Sequence, residues 1–352
     1  GKLLCSVVNE YERRQGKSLG DAVEPNAEVD IRADEVPGLT DHTKDWQETK
    51  TGLRLYGKAL PGQDSARSSD VVAQADALRA QDSLPDKIML TGPRGCGKSV
   101  ALAQMVMHAR KRGWLCVYVP RAWHHMHDGD FVEPLPKSSR DALFGGKGGQ
   151  AKQDRLLNNP ILSTEVLRTT LMAHGEDLRA IAITNDAVKI EAATIIADLK
   201  EKWARSMQLV SSKRVMNFIQ KRRRVEEEDH LPSEDDKDAA LLTDFDFENF
   251  QVESVFDLCM FGLAFRDFGG FAVLGLLGEL RVFQNQDKPV LLAVDEYNNF
   301  LGPSSFAFKG TPVEGSELAV PRALSFFSKR KVDTDEWRLA NGLCVGAISP
   351  KY

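Results

Sequence analysis

The sequence has no run of 18 apolar residues, no Cys-x-x-Cys pair, and neither an Asn-Lys-x-Asp nor a His-Arg-Asp motif. Its most apolar stretch, FGGFAVLGLLGEL, is interrupted by glycines and a glutamate, so we expect no membrane span. The five scattered cysteines indicate reduced thiols in a protein that is not secreted. The two missing motifs disfavour a small GTPase and a protein kinase, and the DFGG at 267–270 therefore predicts only a break between helices.

Charge is unevenly distributed along the chain. The net charge of −5 argues against a protein coated in nucleic acid. Residues 200–224 carry nine Lys and Arg against one Glu, whereas residues 226–250 carry eleven acids against one Lys. The KRRR at 221–224 is predicted to be a solvated helix face, with contact to RNA or to an acidic protein surface as the alternative.

Three of the seven histidines lie close together in the sequence HHMHD. His124, His125, His127 and Asp128 have the side chains that bind zinc, but no cysteine lies nearby. We predict a polar surface loop here, with a zinc site as the weaker alternative.

Four short apolar stretches predict buried strands, at 87–93, 114–120, 289–296 and 342–349. A helix over 99–113 joins the first two strands, as in a parallel strand–helix–strand unit. Strands of this kind, separated by helical segments, predict an α/β fold with a mainly parallel sheet flanked by helices.

About 170 residues separate the second strand from the third, which predicts a large helical insertion. Two sets of residues with helical spacing support it. The first set, predicted to share one helix face, is Leu162, Val166, Leu167, Leu171 and Met172. The second, at successive i+4 positions, is Ile195, Leu199, Trp203 and Met207. This second helix could continue through 215–229, and further helices are predicted at 251–265 and 270–284.

The domain organisation follows from these patterns. Residues 1–67 are mostly polar and weakly periodic, and we predict an extended N-terminal arm. Residues 68–352 are predicted to form one nucleotide-binding domain, beginning with a short helix at 68–82 and carrying its helical insertion around 121–288.

The segment GPRGCGKS matches G-x-x-x-x-G-K-S/T at every defined position, between a predicted strand and a predicted helix. Glycines let backbone amides approach phosphate oxygens, and the helix N-terminus favours the negative charge. Lys98 is predicted to contact the β- and γ-phosphates. The predicted nucleotide-binding residues of this P-loop are Gly92, Pro93, Arg94, Gly95, Cys96, Gly97, Lys98, Ser99 and Val100.

A second motif completes the predicted site. The apolar strand VLLAV ends at Asp295, and we predict that Asp295 and the Ser99 hydroxyl bind Mg²⁺. Glu296 is the candidate catalytic residue, which would position an attacking water, although an acidic strand end without a catalytic role is the alternative. Ser349 ends the last strand, where it contacts the γ-phosphate or merely closes the strand.

Several stretches together resemble one family, the nucleotide-binding proteins of the mitochondrial ribosomal small subunit, which includes death-associated protein 3. They are LTGPRGCGKSVAL, GWLCVYVPRAW, NNPILSTEVLRTTL, GLLGELRVFQNQDKPVLLAVDEYNNFLGPSSF and RALSFFSKRKVDTDEWRLANGLCVGAIS. The resemblance covers about residues 85–352 and is poor across 175–250.

The resemblance implies a P-loop core related to AAA+ and STAND ATPases that binds GTP or GDP with Mg²⁺. It implies a location in the mitochondrial matrix, within the ribosomal small subunit. Ribosomal proteins, some rRNA and the large subunit are the implied partners, and no membrane contact is expected. Because no guanine-reading motif is present, ATP remains the alternative ligand. A structural nucleotide holder is the first hypothesis, and an NTPase that cycles through hydrolysis is the second.

Overall fold

The computed structural model describes residues 2–15, 87–92, 95–129, 131–144, 155–209, 241–242, 245–327 and 338–348. The chain divides into two compact units. The first comprises Gly1–Asp128, Leu280–Ser316 and Leu324–Tyr352, and the second Gly129–Glu279 and Glu317–Ala323. The predicted features outside the described residues include the helix at 68–82, the arm over 16–67 and the basic segment at 221–224.

The described residues form α-helices, β-strands and three short 3-10 segments. The helices are α1 (Lys2–Arg14), α2 (Lys98–Lys111), α3 (Ala122–His127), α4 (Lys137–Phe144), α5 (Pro160–Arg179), α6 (Asp186–Leu209), α7 (Val255–Ala264), α8 (Gly269–Val282) and α9 (Ala319–Ala323). The strands are β1 (Lys87–Leu90), β2 (Leu115–Val119), β3 (Glu133–Pro134), β4 (Leu157–Asn158), β5 (Val290–Val294), β6 (Pro303–Phe308), β7 (Thr311–Glu314) and β8 (Gly342–Ala347). The 3-10 segments are Arg266–Phe268, Tyr297–Leu301 and Gly315–Glu317.

The first unit contains a four-stranded parallel sheet in the order β1-β8-β5-β2. The four predicted strands and their parallel arrangement are confirmed, and so is the α/β fold class. Strands β2, β5 and β8 are buried along their whole length, which explains their continuous apolar sequences. The last strand in the chain, β8, lies between β1 and β5 and so separates the two strands that lead into the predicted site.

A close backbone approach fixes the start of β8. Gly342 has φ 153°, and a Cβ at this position would lie 2.0 Å from the carbonyl oxygen of Val290. Val290 N also donates to Asn341 O at 3.0 Å. Only glycine allows β8 to enter the sheet this close to β5.

Helix α2 packs on the sheet with an apolar face that includes Leu102, Met105 and Val106, all fully buried. Its last turn carries His108, Arg110 and Lys111, and cations near a helix C-terminus are favourable. The predicted helix at 99–113 is therefore confirmed, beginning one residue earlier and ending two residues earlier.

The structure differs from the predicted extended arm over Lys2–Arg14, which form a helix, α1. Leu4, Val7 and Val8 are buried against α2 and belong to the same apolar core as the sheet. Together with Tyr11 they follow the i, i+3, i+4, i+7 spacing of an amphipathic helix. Part of the predicted arm is thus an integral element of the first unit.

A buried carboxylate fastens α1 to the end of α2. Glu12 is 1% exposed, and its carboxylate accepts hydrogen bonds from Arg112 Nε at 2.8 Å and from Trp114 Nε1 at 2.9 Å. The ring of Tyr11 packs edge-on against Trp114 with centroids 5.1 Å apart. Because Glu12 is almost completely buried, these hydrogen bonds replace the contacts with water that its carboxylate loses on folding.

The second unit is mainly helical, as the predicted insertion implies. Helix α5 packs closely against α7, and Ser254 and Asp257 form a capping box that starts α7. A buried asparagine, Asn158, accepts a bond from Ser163 Oγ at 2.7 Å and donates to the Asp267 carbonyl at 3.1 Å. The predicted helix break at DFGG is confirmed, because a 3-10 segment separates α7 from α8.

One predicted helix face is wrong at a single position. Leu162, Val166, Leu167 and Leu171 are buried, but Met172 is 62% exposed and does not share their face. Helix α6 confirms that the residues of the i+4 pattern lie in one helix, which extends to Leu209. The side chains of Trp203 and Met207, and any continuation beyond 209, lie outside the described residues. Within the described residues, no helix is long and apolar enough to cross a membrane.

Candidate functional site

The glycine-rich loop lies between β1 and α2, as predicted. Gly92, Gly95 and Gly97 have φ values of 143°, 77° and 85°, a region that side-chain-bearing residues rarely adopt. Gly97 is the N-cap of α2, and its carbonyl accepts the first helical hydrogen bond, from Ala101 N at 2.9 Å. Pro93 and Arg94 lie outside the described residues.

The side chain of Lys98 contacts the beginning of this loop. Its Nζ donates to the carbonyl oxygen of Gly92 at 3.0 Å and lies 3.6 Å from Cys96 Sγ. The ammonium is therefore held against the loop by the Gly92 carbonyl, while Gly95, Cys96 and Gly97 are exposed to solvent. Val100 is half-buried in the first turn of α2. The loop thus presents one positive charge and a helix N-terminus to the same space.

Ser99 and Asp295 are brought together, as the two motifs predict. Asp295 follows β5 and is 6% exposed. Its carboxylate accepts hydrogen bonds from the Ser99 hydroxyl and from Glu296 N, the latter at 2.8 Å. Burial raises the pKa of Asp295, and these hydrogen bonds and the charge of Lys98 oppose that rise. An oxygen pair of this kind, one neutral and one anionic, fits Mg²⁺.

Glu296 adopts a left-handed conformation, with φ 56° and ψ 33°. Its carboxylate accepts a hydrogen bond from the backbone N–H of Trp123, while its Oε2 atom is buried without a hydrogen-bond partner. Burial raises the pKa of Glu296, as does the neighbouring Asp295, whereas Arg121 and His124 lower it. The candidate catalytic residue is therefore half-buried, and its carboxylate is in contact with α3.

The end of β8 adjoins the start of the loop, because Ile348 N donates to Leu90 O at 2.9 Å. Ser349, the predicted γ-phosphate contact, is the next residue and lies outside the described residues. On the other side of the site, Tyr297 is fully buried and its hydroxyl accepts a bond from Phe327 N at 2.9 Å. This anchor fixes the chain directly after Glu296.

The predicted polar loop at HHMHD is wrong, because residues 122–127 form α3. His124 Nδ1 contacts the Asp128 carboxylate, and His127 Nδ1 lies 2.7 Å from Ser305 Oγ. His125 is 4% exposed, and burial lowers its pKa to about 3. Among the described residues no group of three or more His, Cys, Asp or Glu side chains is arranged to hold a metal ion, so the zinc alternative finds no support.

Sequence reasoning missed the residues that surround Glu296. Arg121, Trp123 and His124 follow β2, the neighbour of β5 in the sheet. Because parallel strands end at one edge, residues directly after β2 and β5 meet there. The available signal was that charged residues come within two positions after both strands, Arg121 after β2 and Asp295 after β5, but the strand order that makes them neighbours is not visible in the sequence.

The fold and the loop define an α/β protein with a parallel four-stranded sheet and a glycine-rich loop at the N-terminus of its first sheet helix. Residues 68–139 match the family model of the mitochondrial ribosomal death-associated protein 3. The match includes the loop, α2, β2 and α3, and it supports the family resemblance noted in the sequence over this part of the chain. No curated protein is similar enough to the chain to count as a match. The family implies a component of the small subunit of the mitochondrial ribosome, located in the mitochondrial matrix.

Proposed function

We propose that the chain is a structural, nucleotide-binding component of the mitochondrial ribosomal small subunit that holds GTP or GDP with Mg²⁺ and supports assembly and translation. One observation carries the proposal: three glycines with positive φ and the Lys98 ammonium line the loop, next to the Ser99–Asp295 pair. The family match supports the ribosomal part of the proposal.

The loop suits a polyphosphate for electrostatic reasons. Its exposed backbone and the start of α2 provide N–H donors, and Lys98 provides a full positive charge. The bond from Lys98 Nζ to the Gly92 carbonyl holds the ammonium in the loop, where a phosphate oxygen would be a stronger, charged acceptor. These are the properties of a P-loop, and the strand order with β8 between β1 and β5 is compatible with an AAA+ or STAND-like core.

Mg²⁺ would be held by Ser99 and Asp295. When bound, the ion neutralises phosphate charge. In the structure the Ser99 hydroxyl donates to Asp295, so the two oxygens already lie within reach of one another. The preference for guanine follows from the family resemblance alone, and ATP is the alternative. Other proteins of the small subunit, some rRNA and the large subunit are the proposed partners.

The second candidate function, an NTPase that cycles through hydrolysis, is favoured by one observation. Glu296 directly follows the proposed Mg²⁺ ligand Asp295, where a carboxylate can activate water.

Gel filtration or sedimentation with ribosomal small subunits, combined with an assay of phosphate release, separates the two functions. Ribosome association with negligible turnover supports the structural function, and rapid turnover by a protein that does not associate contradicts it.

Bound nucleotide is expected to protect Cys96 from alkylation. Cys96 is exposed within the loop, whereas Cys116, Cys259 and Cys344 are buried. Phosphate in the loop covers the Cys96 thiol, so maleimide labelling measured by intact mass should slow at least about tenfold with Mg²⁺·GTP at 100 times its Kd. A Cys96→Ser variant identifies the labelled site. Equal labelling rates with and without nucleotide would contradict a ligand in this loop.

Asp295→Asn is expected to separate metal binding from stability. The raised pKa of Asp295 means that burial disfavours the ionised form, so at pH values above the unfolded-state pKa the carboxylate lowers the stability of the ligand-free protein. The neutral amide removes this cost, and the melting temperature without ligand should stay equal or rise. Nucleotide affinity, measured by titration calorimetry, should lose its dependence on Mg²⁺. The control is Asp287→Asn, because Asp287 is exposed and precedes β5, whereas Asp295 follows the other end of that strand. Unchanged Mg²⁺ dependence in Asp295→Asn would refute its assignment.

A further inference from the structure

The carboxylate of Glu296 is attached to the first turn of α3. Ala122 N donates to the carbonyl oxygen of Asp295 at 3.0 Å, and Trp123 N donates to the Glu296 side chain. The first N–H groups of a helix have no partners within the helix. The Asp295–Glu296 pair therefore satisfies two donors at the start of α3, one with its backbone and one with its side chain.

One oxygen of this carboxylate is buried away from water, and the other accepts a hydrogen bond from α3. The Oε2 atom is buried and has no hydrogen-bond partner, so the bond from Trp123 N is made to Oε1. By contrast, the nearby loop residues Gly95, Gly97 and Ser99 are exposed. A general base must contact the water from which it takes a proton. In this conformation the buried Oε2 cannot make that contact, and Oε1 already accepts the N–H of Trp123.

Two side chains, those of Arg121 and His124, also favour the position of the Glu296 carboxylate against α3. Arg121 precedes α3 and attracts the Glu296 carboxylate, and its Nη1 lies 3.3 Å from His124 Nε2. His124 in turn pairs with Asp128 at the end of α3. The left-handed backbone of Glu296 is unfavourable for a residue with a side chain, and such a conformation persists where its surroundings impose it.

We propose that α3 holds Glu296 in a resting position, and that Arg121 and the N–H of Trp123 are positioning groups that keep the bound nucleotide intact. This inference rests on the proposed nucleotide-binding function and assigns the control of that same site. In hydrolysis a water oxygen bonds to the γ-phosphorus as the bond to the β–γ bridging oxygen breaks, and the water proton passes to the base. Glu296 has to leave α3 to accept that proton.

The test compares two substitutions at one position in the full chain. Trp123→Pro removes the N–H that holds Glu296, whereas Trp123→Ala keeps the N–H and removes the same half-exposed side chain. With Mg²⁺·GTP, Trp123→Pro should raise kcat for phosphate release at least about tenfold, the low end of what a released general base contributes. Trp123→Ala should stay within about twofold of wild type, and the Kd for GTP should change less than about threefold in both, because neither change touches the phosphate loop.

If the melting curve shows that Trp123→Pro does not fold, substitutions at Arg121 provide a second test. Arg121→Ala weakens the attraction on Glu296 without changing the backbone and should also raise kcat, and Arg121→Lys should restore the slow rate. Adding Glu296→Gln to either activated variant should return turnover to the wild-type level. These readouts separate a positioning role from a loss of stability.

The outcomes are distinct. An increase in kcat that disappears with Glu296→Gln supports the inference. No increase in any folded variant, or an increase that survives Glu296→Gln, overturns it while leaving nucleotide binding intact. A wild-type chain that binds neither GTP nor ATP overturns the proposed function itself, and the inference with it.

Discussion

Lys98→Ala should weaken nucleotide binding by at least about 100-fold, the value expected when two charge-assisted hydrogen bonds of about 1.5 kcal/mol each are lost. Lys98 carries the one side-chain charge that the described loop residues present to a phosphate. Its removal leaves the glycine backbone in place, so the fold should persist while affinity falls. Titration calorimetry with Mg²⁺·GTP measures the change.

The same substitution should remove stabilisation by ligand. A ligand bound only to the native state adds about 2.7 kcal/mol at 100 times its Kd, so wild type should melt several degrees higher with nucleotide and Lys98→Ala should not. Lys111→Ala is the matched control, because Lys111 is an exposed lysine in the last turn of the same helix. If Lys98→Ala kept the wild-type affinity, the phosphate-binding role of the loop would be wrong.

Glu12→Ala is expected to destabilise the first unit by about 3–5 kcal/mol, the usual effect of breaking a buried ion pair. The substitution leaves Arg112, whose side chain is 18% exposed, without its carboxylate, and it leaves the buried indole N–H of Trp114 without an acceptor. The melting midpoint should fall by about 10 °C. Hydrogen exchange should show that α1 loses protection before the sheet does.

Glu10→Ala provides a matched control on the same helix. Glu10 also binds an arginine, Arg13, with two hydrogen bonds of 2.7 and 2.8 Å, but the Arg13 side chain is 62% exposed. Exposed pairs of this kind contribute about 0.3–0.5 kcal/mol, so the midpoint should move by about 1 °C. Equal effects of the two substitutions would show that α1 is not anchored through Glu12.

The loop and its strand–helix surroundings were predictable from sequence because each signal is local. Glycines that need positive φ, a lysine and a serine at fixed spacing, and an apolar strand on one side identify the loop without knowledge of the fold. Asp295 was predictable for the same reason, since a carboxylate after a buried strand is a short pattern. The Ser99–Asp295 contact then followed from the parallel sheet.

The features that escaped prediction depend on contacts distant in sequence. Helix α1 has an amphipathic pattern in Leu4, Val7 and Val8. The predicted extended arm followed instead from the mostly polar composition of residues 1–67 as a whole. Met172 fitted a helix face by spacing, yet the packing of α5 leaves it exposed. The environment of Glu296 required the strand order, because Arg121 and Glu296 lie 175 positions apart in the sequence.

The most direct measurement of the central claim is the nucleotide content of mitochondrial ribosomal small subunits that contain this chain. Subunits are purified, denatured and analysed by mass spectrometry for released nucleotide. The account predicts one intact guanine nucleotide per copy of the chain, absent from subunits assembled with Lys98→Ala. Wild-type subunits that contain the chain but release no nucleotide would contradict it.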